Sequence, residues 1–416
     1  MTRPSSAIPA APSAPILFNG WLTLCFSLMF SGLLVFPSRT GLMNALDAVF
    51  FLPALLYVAV ACRHQPLALI KRHGWLLAFL FYATLSTFFG PAPNPSRFAR
   101  ALIEIFTLFA FVELAVQRYP QAFWRALLIG TGVAAVAALV DFFAYYFIVD
   151  RPFSSQLYGV FEVFKIRPWL VLDTNQLYAS MYCITLPFFA FFASRQLPPG
   201  RLVRVAPYLI TLALLVYLAA NQRRSTLVAL AVGCLALPII NLKRRLLVPL
   251  VAVAVVAAGV LVFSPELITD RGTGQRPQLW NAAWEMILEK PVTGHGMANE
   301  TRELHIVVEG QPVVQDHPHN YYLSLLYHIG FLGLGLWVML WAPALWRGWR
   351  AYPQRSCVLA AAMATGFTAV LFDGIHPYTP FMYNWPSVWI PMALLVAYVR
   401  QQETRDESRS GMQVPQ

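Results

Sequence analysis

The sequence is dominated by apolar runs of about 20 residues, separated by short polar stretches. A helix needs about 20 apolar residues to cross the hydrocarbon core of a bilayer, which is about 30 Å thick. Hydrophobic residues make up 58% of the chain and charged residues only 12%, about half the charged share of a soluble domain. This pattern predicts an all-α polytopic membrane protein and excludes a soluble globular domain.

The apolar runs predict about 12 transmembrane helices. They are Ile16–Phe36, Leu42–Cys62, Trp75–Phe89, Phe98–Gln117, Phe123–Val149, Pro168–Phe192, Pro207–Ala220, Thr226–Ile240, Leu246–Phe263, Asn320–Trp346, Ser356–Asp373 and Trp385–Val399. The expected units are residues 1–264 with spans 1–9, residues 265–319 as one long outer loop containing short amphipathic helices, residues 320–400 with spans 10–12, and residues 401–416 as a disordered cytoplasmic tail.

Basic residues predict the orientation, because cytoplasmic loops of membrane proteins are enriched in Lys and Arg. Most of the 30 Lys and Arg residues fall on one side if both termini are cytoplasmic. This arrangement accounts for most of the net charge of +11, so nucleic-acid binding is not expected. The arginines that remain on the outer side predict an anionic substrate.

The long loop contains a stretch that fits an amphipathic helix, Pro277–Lys290. We expect this helix to lie in the headgroup layer with its tryptophans toward the lipid. The apolar face of this helix consists of Trp280, Ala283, Trp284, Ile287 and Leu288. After Pro291, the turn Gly294–Gly296 and the polar stretch Asn299–Glu309 precede a short extended piece, Pro312–Gln315.

His319 lies where the loop enters the tenth span, in the sequence Asp316-His317-Pro318-His319-Asn320. Because Pro318 disfavours helix at the residue before it, His319 is expected at or just before the helix N-terminus. The positive end of a helix disfavours an imidazolium, so the ring would be neutral and able to act as a general base. A helix-capping or hydrogen-bonded structural histidine is the alternative. His317 is expected to be exposed.

Two adjacent arginines, Arg223 and Arg224, occupy a tight turn between two apolar spans. Charges at such a position are costly unless they bind anions or extend to lipid headgroups. Extension to headgroups explains one arginine more readily than it explains a pair.

Three landmarks in chain order resemble the O-antigen ligase and O-antigen polymerase superfamily, which also includes bacterial protein O-oligosaccharyltransferases. They are Arg224-Ser225 in the outer turn, the series Arg276, Trp280, Pro291, Gly294 and Gly296, and His319-Asn320 with Tyr322-Leu323. The resemblance covers about Thr211–Leu334 and the topology of the chain. The family pattern usually has Ser where this chain has Arg223, and the register favours Arg224 as the functional arginine.

The resemblance implies a GT-C-like glycosyltransferase of the Gram-negative inner membrane with its active site facing the periplasm. It implies inverting, metal-independent transfer from an undecaprenyl-diphosphate-linked glycan, without a cofactor. The overall length is similar to that of the ligase, whose acceptor is lipid A-core oligosaccharide. The polymerase and the protein glycosylase have the same landmarks and stay open as alternatives.

Residue roles follow from the resemblance and from the chemistry of a diphosphate leaving group. His319 is the candidate base for the acceptor hydroxyl. Arg224 and Arg276, with Arg223 as the alternative, are expected to bind the donor diphosphate. The expected supporting residues are Asn320, Trp280, Tyr322 and His317.

Other polar groups have weaker assignments. Arg97 and Arg100 are candidates for binding phosphates of the acceptor, although Arg100 and Glu104 also fit a plain ion pair one helical turn apart. No outer cluster predicts a metal site. A transporter of lipid-linked sugars is the alternative from another class, but it should show repeated halves around a site at the membrane midplane.

Overall fold

The computed structural model shows a bundle of helices with one small β-hairpin beside it. It describes residues 14–36, 39–64, 66–89, 95–148, 150, 152–153, 176–241, 275–297, 303–308, 311–315, 317–374 and 381–410. The predicted span Leu246–Phe263 and the first part of the predicted span Pro168–Phe192 lie outside these residues.

The described helices follow the apolar runs of the sequence. They are α1 Ile16–Val35, α2 Arg39–Leu46, α3 Leu52–Cys62, α4 Pro66–Arg72, α5 Gly74–Ser86, α6 Pro95–Arg118, α7 Pro120–Phe143, α8 Gln176–Cys183, α9 Leu186–Gln196, α10 Arg201–Ala220, α11 Arg224–Asn241, α12 Arg276–Glu289, α13 Tyr321–Ala351, α14 Pro353–Asp373 and α15 Trp389–Ser410. Short π-helical turns, Asp47–Phe51 and Ala144–Ile148, join α2 to α3 and extend α7. The strands are β1 Leu304–Val308 and β2 Gln311–Gln315, which pair antiparallel.

Six described helical segments are long and apolar enough to cross a membrane. They are Ile16–Val35, Thr40–Cys62, Pro120–Ile148, Arg201–Ala220, Tyr321–Ala351 and Pro353–Phe372. Two shorter apolar helices, Gly74–Ser86 and Arg224–Leu237, accompany them. The architecture agrees with a polytopic membrane protein, but the predicted number of 12 spans is not confirmed within the described ranges.

Glycines allow two pairs of helices to approach closely. A Cβ on Gly130 of α7 would lie 2.7 Å from Cβ of Phe26 in α1, and a Cβ on Gly233 of α11 would lie 1.8 Å from Oγ1 of Thr365 in α14. Small residues at such crossings are typical of membrane helices, whose association depends on van der Waals packing because lipid is as apolar as the side chains.

The helix α12 forms where the sequence predicts it, but it presents a different face. It buries Leu279, Ala283 and Ile287 against the hairpin and α13, whereas Trp284 and Leu288 are exposed. The expected arrangement, with all the apolar residues directed toward lipid, is therefore wrong. Protein contacts hold the buried face of this helix.

The polar stretch Asn299–Glu309, for which no secondary structure was predicted, contains strand β1, whose Leu304 and Ile306 are buried. One further expectation needs correction. The tail from Gln401 onward was expected to be disordered, yet α15 continues as a helix to Ser410. Gln401 at the start of this extension is buried and donates from Nε2 to the carbonyl of Val116, at 2.6 Å, whereas residues 404–408 are exposed.

Candidate active site

His319 immediately precedes α13 and has an unusual backbone conformation. Its φ is 49°, in the left-handed region that non-glycine residues seldom adopt. Asn320 follows as the N-cap, and its Oδ1 accepts hydrogen bonds from the backbone N–H groups of Tyr322 (2.9 Å) and Leu323 (3.1 Å). The cap fixes where α13 begins, so it holds His319 at the positive end of the helix, as the sequence predicts.

His317 lies in direct contact with His319. Its Nε2 is 3.2 Å from Nδ1 of His319, and the ring centroids are 4.0 Å apart. His317 is half-buried rather than exposed, so that expectation is wrong. A hydrogen bond between two imidazole nitrogens needs one donor and one acceptor, so the contact couples the tautomers of the two rings.

Trp280 joins α12 to the histidine segment. Its indole N–H donates to the backbone carbonyl of Pro318, at 3.1 Å, and Pro318 is the residue between the two histidines. Arg276 lies four residues earlier on α12 and is half-buried. Residues four apart on a helix are neighbours on one face, so Arg276 lies within one helical turn of the tryptophan that contacts the histidine segment.

A break in α13 provides the second attachment of the loop. Gly330 has φ 60° and ψ −170°, which interrupts the helix. The backbone N–H groups of Phe331 and Leu332 donate to Pro291 and Val292 of the loop, at 2.8 and 3.2 Å, instead of to the preceding turn. The carbonyls that would have accepted these bonds belong to residues 327 and 328.

The turn after Pro291 satisfies those two carbonyls. The backbone N–H of His295 donates to Tyr327 at 2.7 Å, and that of Gly296 donates to His328 at 2.9 Å. The loop thus supplies the hydrogen bonds that α13 lacks at its break. Buried backbone N–H and carbonyl groups need such partners. The predicted Gly-x-Gly motif is needed here because a Cβ on Gly294 (φ 71°) would lie 2.5 Å from the backbone of α13.

Two residues that the sequence analysis did not single out, Tyr82 and His328, support this junction. The hydroxyl of Tyr82 in α5 contacts two carbonyl oxygens, that of Thr293 in the loop (3.1 Å) and that of Ile329 in α13 (3.2 Å). Nδ1 of His328 lies 3.1 Å from the carbonyl of Gly296. Both residues are polar groups inside apolar runs. A buried polar group without a partner is costly, so their positions in the sequence were a signal that each has a structural partner.

His295 has a structural position. It is 3% exposed, its Nε2 lies 2.8 Å from the carbonyl of Met286, and its ring stacks on Tyr327. It therefore fastens the end of α12 to α13. His305, by contrast, is 72% exposed on the hairpin beside Glu303.

The two adjacent arginines occupy the predicted tight turn. The helix α10 ends at Ala220 and α11 begins at Arg224, and Gln222 between them has φ 50°. Asn221 is buried and donates from Nδ2 to the carbonyl of Tyr217, at 2.7 Å, which closes the end of α10. Arg223 and Arg224 are both half-buried.

Tyr322 and Arg100 have defined contacts with other helices. The hydroxyl of Tyr322 donates to the carbonyl of Phe367 in α14, at 2.9 Å. Arg100 contacts Asp47 at 2.6 Å and Glu104 at 2.9 Å, so the predicted ion pair within α6 is confirmed. The other Glu104 oxygen accepts from the backbone N–H of Phe381, at 2.7 Å.

This network makes Arg100 part of the packing between helices. The side chain of Arg97, the other candidate for acceptor phosphates, lies outside the described residues, and the role of both arginines stays a prediction.

The fold and the site define a polytopic membrane protein with histidines and an arginine gathered at one end of α13. Residues 209–338 match the O-antigen ligase family. The O-antigen ligase of Pseudomonas aeruginosa strain PAO1 is 29% identical over 408 residues, covering 93% of this chain and 91% of that protein. Residues 209–338 therefore match an O-antigen ligase domain, which confirms the resemblance drawn from the sequence.

Proposed function

We propose that this protein is an O-antigen ligase of the Gram-negative inner membrane. It transfers an O-antigen glycan from undecaprenyl diphosphate to lipid A-core oligosaccharide at the periplasmic face, with inversion and without a metal. The observation that carries the proposal is the contact of Trp280 with the carbonyl of Pro318, because it gathers Arg276, His317 and His319 within the matched domain.

His319 is the proposed general base. Its Nε2 takes the proton of the acceptor hydroxyl as the hydroxyl oxygen attacks the anomeric carbon of the donor sugar. The bond between that carbon and the phosphate oxygen breaks, and undecaprenyl diphosphate leaves with the electron pair. Attack from the face opposite the leaving group inverts the anomeric centre, and a positioned base typically contributes about 10²–10⁴-fold to the rate.

His317 is the proposed positioning residue for this base. If its Nε2 accepts a hydrogen bond from the N–H at Nδ1 of His319, then Nε2 of His319 is the unprotonated nitrogen that a base requires. When His319 takes up the acceptor proton, the same hydrogen bond stabilises the imidazolium. The opposite tautomer would place a proton on Nε2 of His319 and prevent its action as a base.

Arg276 and Arg224 are the proposed cations for the diphosphate, whose negative charge grows as the glycosidic bond breaks. Arg276 lies one turn from Trp280 and therefore near the base. Arg276 and Trp280 belong to α12, which the Gly-x-Gly turn attaches to the break in α13. This attachment supports the proposal that the cation and the base have a fixed relative position.

The packing of α11 on α14 supports a role for Arg224. Gly233 of α11 contacts Thr365 of α14; Gly233 lies nine residues after Arg224, and Gly374 lies nine residues after Thr365. In the proposed topology α11 begins and α14 ends on the outer side, so with a rise of 1.5 Å per residue both ends are about 13 Å from that contact. Gly374 lies against Tyr321, the first residue of α13, which supports the proposal that Arg224 is at the level of His319.

The ligase is favoured over the polymerase and the protein glycosylase because the match to a ligase spans 91% of that protein. A gene deletion separates the three. Loss of a ligase leaves long lipid-linked glycan accumulated and lipid A-core uncapped, and loss of a polymerase leaves cores capped with single repeats. Loss of a protein glycosylase leaves lipopolysaccharide intact. Transfer by the purified protein should also persist in EDTA.

A further inference from the structure

A cavity lies at the opposite end of α13 from the candidate active site. Its volume is about 440 Å³, and it opens between α5, α13 and α15. Arg347, one of its lining residues, follows Tyr321 by 26 positions on α13, which is about 40 Å along a helix axis. This end carries the basic residues that predict the cytoplasmic side.

Four cationic side chains line the cavity, and the positive charges of two of them are paired with nearby carboxylates. The guanidinium of Arg400 contacts the carboxylate of Glu113 and the backbone carbonyl of Arg72. Arg347 is 3.2 Å from Glu403. In the part of the chain that the structure describes, Lys71 and Arg72 have exposed side chains with no ion pair to a carboxylate, so the cavity has an excess of positive charge.

The rest of the cavity lining is neutral or apolar. His73 is 4% exposed and lies 3.5 Å from Glu113. Burial lowers the pKa of His73 to about 4, so its ring is neutral near pH 7. Trp75 and Met339 form an apolar wall and are themselves accessible, with 53% and 38% of their surface exposed. The cavity therefore combines a cationic rim with an accessible apolar wall.

We propose that this cavity binds an anionic phospholipid of the cytoplasmic leaflet. Its phosphate would lie between Lys71 and Arg72, and its acyl chains would pack along Trp75 and Met339. Basic pockets between membrane helices on the cytoplasmic side recognise anionic headgroups, and the volume is within the usual range for ligand sites. An inorganic phosphate would use the rim but not the apolar wall. The site is independent of the glycan chemistry.

Lipid binding to the purified, delipidated full-length protein tests this proposal. Native mass spectrometry would compare phosphatidylglycerol with phosphatidylcholine of the same acyl chains. The test variant is Lys71→Gln/Arg72→Gln, which keeps the Arg72 carbonyl that binds Arg400. The matched control is Arg201→Gln/Arg204→Gln, because both arginines are exposed at the start of α10 on the same predicted side.

Phosphatidylglycerol should bind the test variant about tenfold more weakly than the wild type, as expected for the loss of two cations near an anionic headgroup. The control should bind within about twofold of the wild type. Equal weakening in both variants, equal affinity for phosphatidylcholine, or full competition by inorganic phosphate would overturn the proposal.

A second measurement on the wild type does not depend on the folding of any variant. A photoactivatable phosphatidylglycerol should label the peptides that contain Trp75 and Met339, and an excess of unlabelled phosphatidylglycerol should suppress the labelling. Labelling confined to other peptides would count against the site.

Discussion

Gly330 of α13 lies against the loop so closely that a Cβ on it would be 2.3 Å from the carbonyl oxygen of Val292. The contact occurs at the break where the loop and the helix exchange four backbone hydrogen bonds. The loop that carries Arg276 and Trp280 is thus held to the helix that carries His319 by main-chain geometry. A change at this glycine should disturb the site without altering any group proposed to touch substrate.

Gly330→Ala should therefore lower both stability and transfer. A side chain at this φ and ψ costs about 1–3 kcal/mol, and the contact with Val292 adds to that cost. Gly335→Ala is the matched control, because nothing lies within 4 Å of a Cβ at that position of the same helix. Thermal unfolding and transfer rate would be measured for both. A Gly330→Ala protein as stable and active as the control would contradict the proposed junction.

Trp280→Phe should slow transfer while the protein stays folded. The substitution keeps an aromatic ring but removes the hydrogen bond to Pro318, which is worth about 0.5–1.5 kcal/mol, so the histidine segment is held less firmly. Trp284→Phe on the same helix is the control, since Trp284 is 39% exposed. The rate constant for transfer should fall only in the first variant. Equal rates in the two would show that the indole contact has no positioning role.

Arg276→Ala should severely weaken use of the lipid-linked donor, and Arg276→Lys should restore it only in part, because lysine cannot form the two parallel bonds of a guanidinium. Arg224→Ala should have a larger effect than Arg223→Ala if the register is as proposed. The readout is the rate as a function of donor concentration. Full activity of Arg276→Ala would refute its assignment, and a larger effect at Arg223 would transfer the role to that residue.

Much of the fold follows from the apolar runs, because backbone groups in lipid must be satisfied within a helix. The helices α1, α7 and α13 begin within a few residues of their predicted positions. The break at Gly330 could not be predicted in the same way, since it lies inside an apolar run and its hydrogen-bond partners come from a segment more than thirty residues earlier. Tertiary partners decide that conformation.

The sequence predicts the parts of the candidate site that depend on neighbouring residues in the chain. It does not predict the contacts between segments that are distant in the sequence. His319 and Asn320 follow from the entry into an apolar span, and Asn320 is the cap. The contact of His317 with His319 occurs together with the left-handed backbone of His319, which no spacing indicates. The orientation of α12 was mispredicted because the partners of its buried face are strand β1 and α13, and β1 itself was not recognised.

His317→Ala should reduce the transfer rate constant by about tenfold, less than loss of the base itself, because His319 then loses the partner that sets its tautomer. The KM for the acceptor should change little. His317→Gln should recover part of the rate, since its amide oxygen can accept the same hydrogen bond. His305→Ala, on the exposed hairpin, is the control. A rate unchanged in His317→Ala would remove the positioning role and leave the base assignment intact.

If His319 removes the proton of the acceptor hydroxyl, its loss should slow transfer and leave donor binding intact. The decisive measurement is the single-turnover rate of glycan transfer by His319→Ala in reconstituted membranes, with donor binding measured in the same preparation. The rate should be about 10²–10⁴-fold below that of the wild type, with donor binding retained. A rate within tenfold of the wild type, in protein that binds donor normally, would contradict this role of His319.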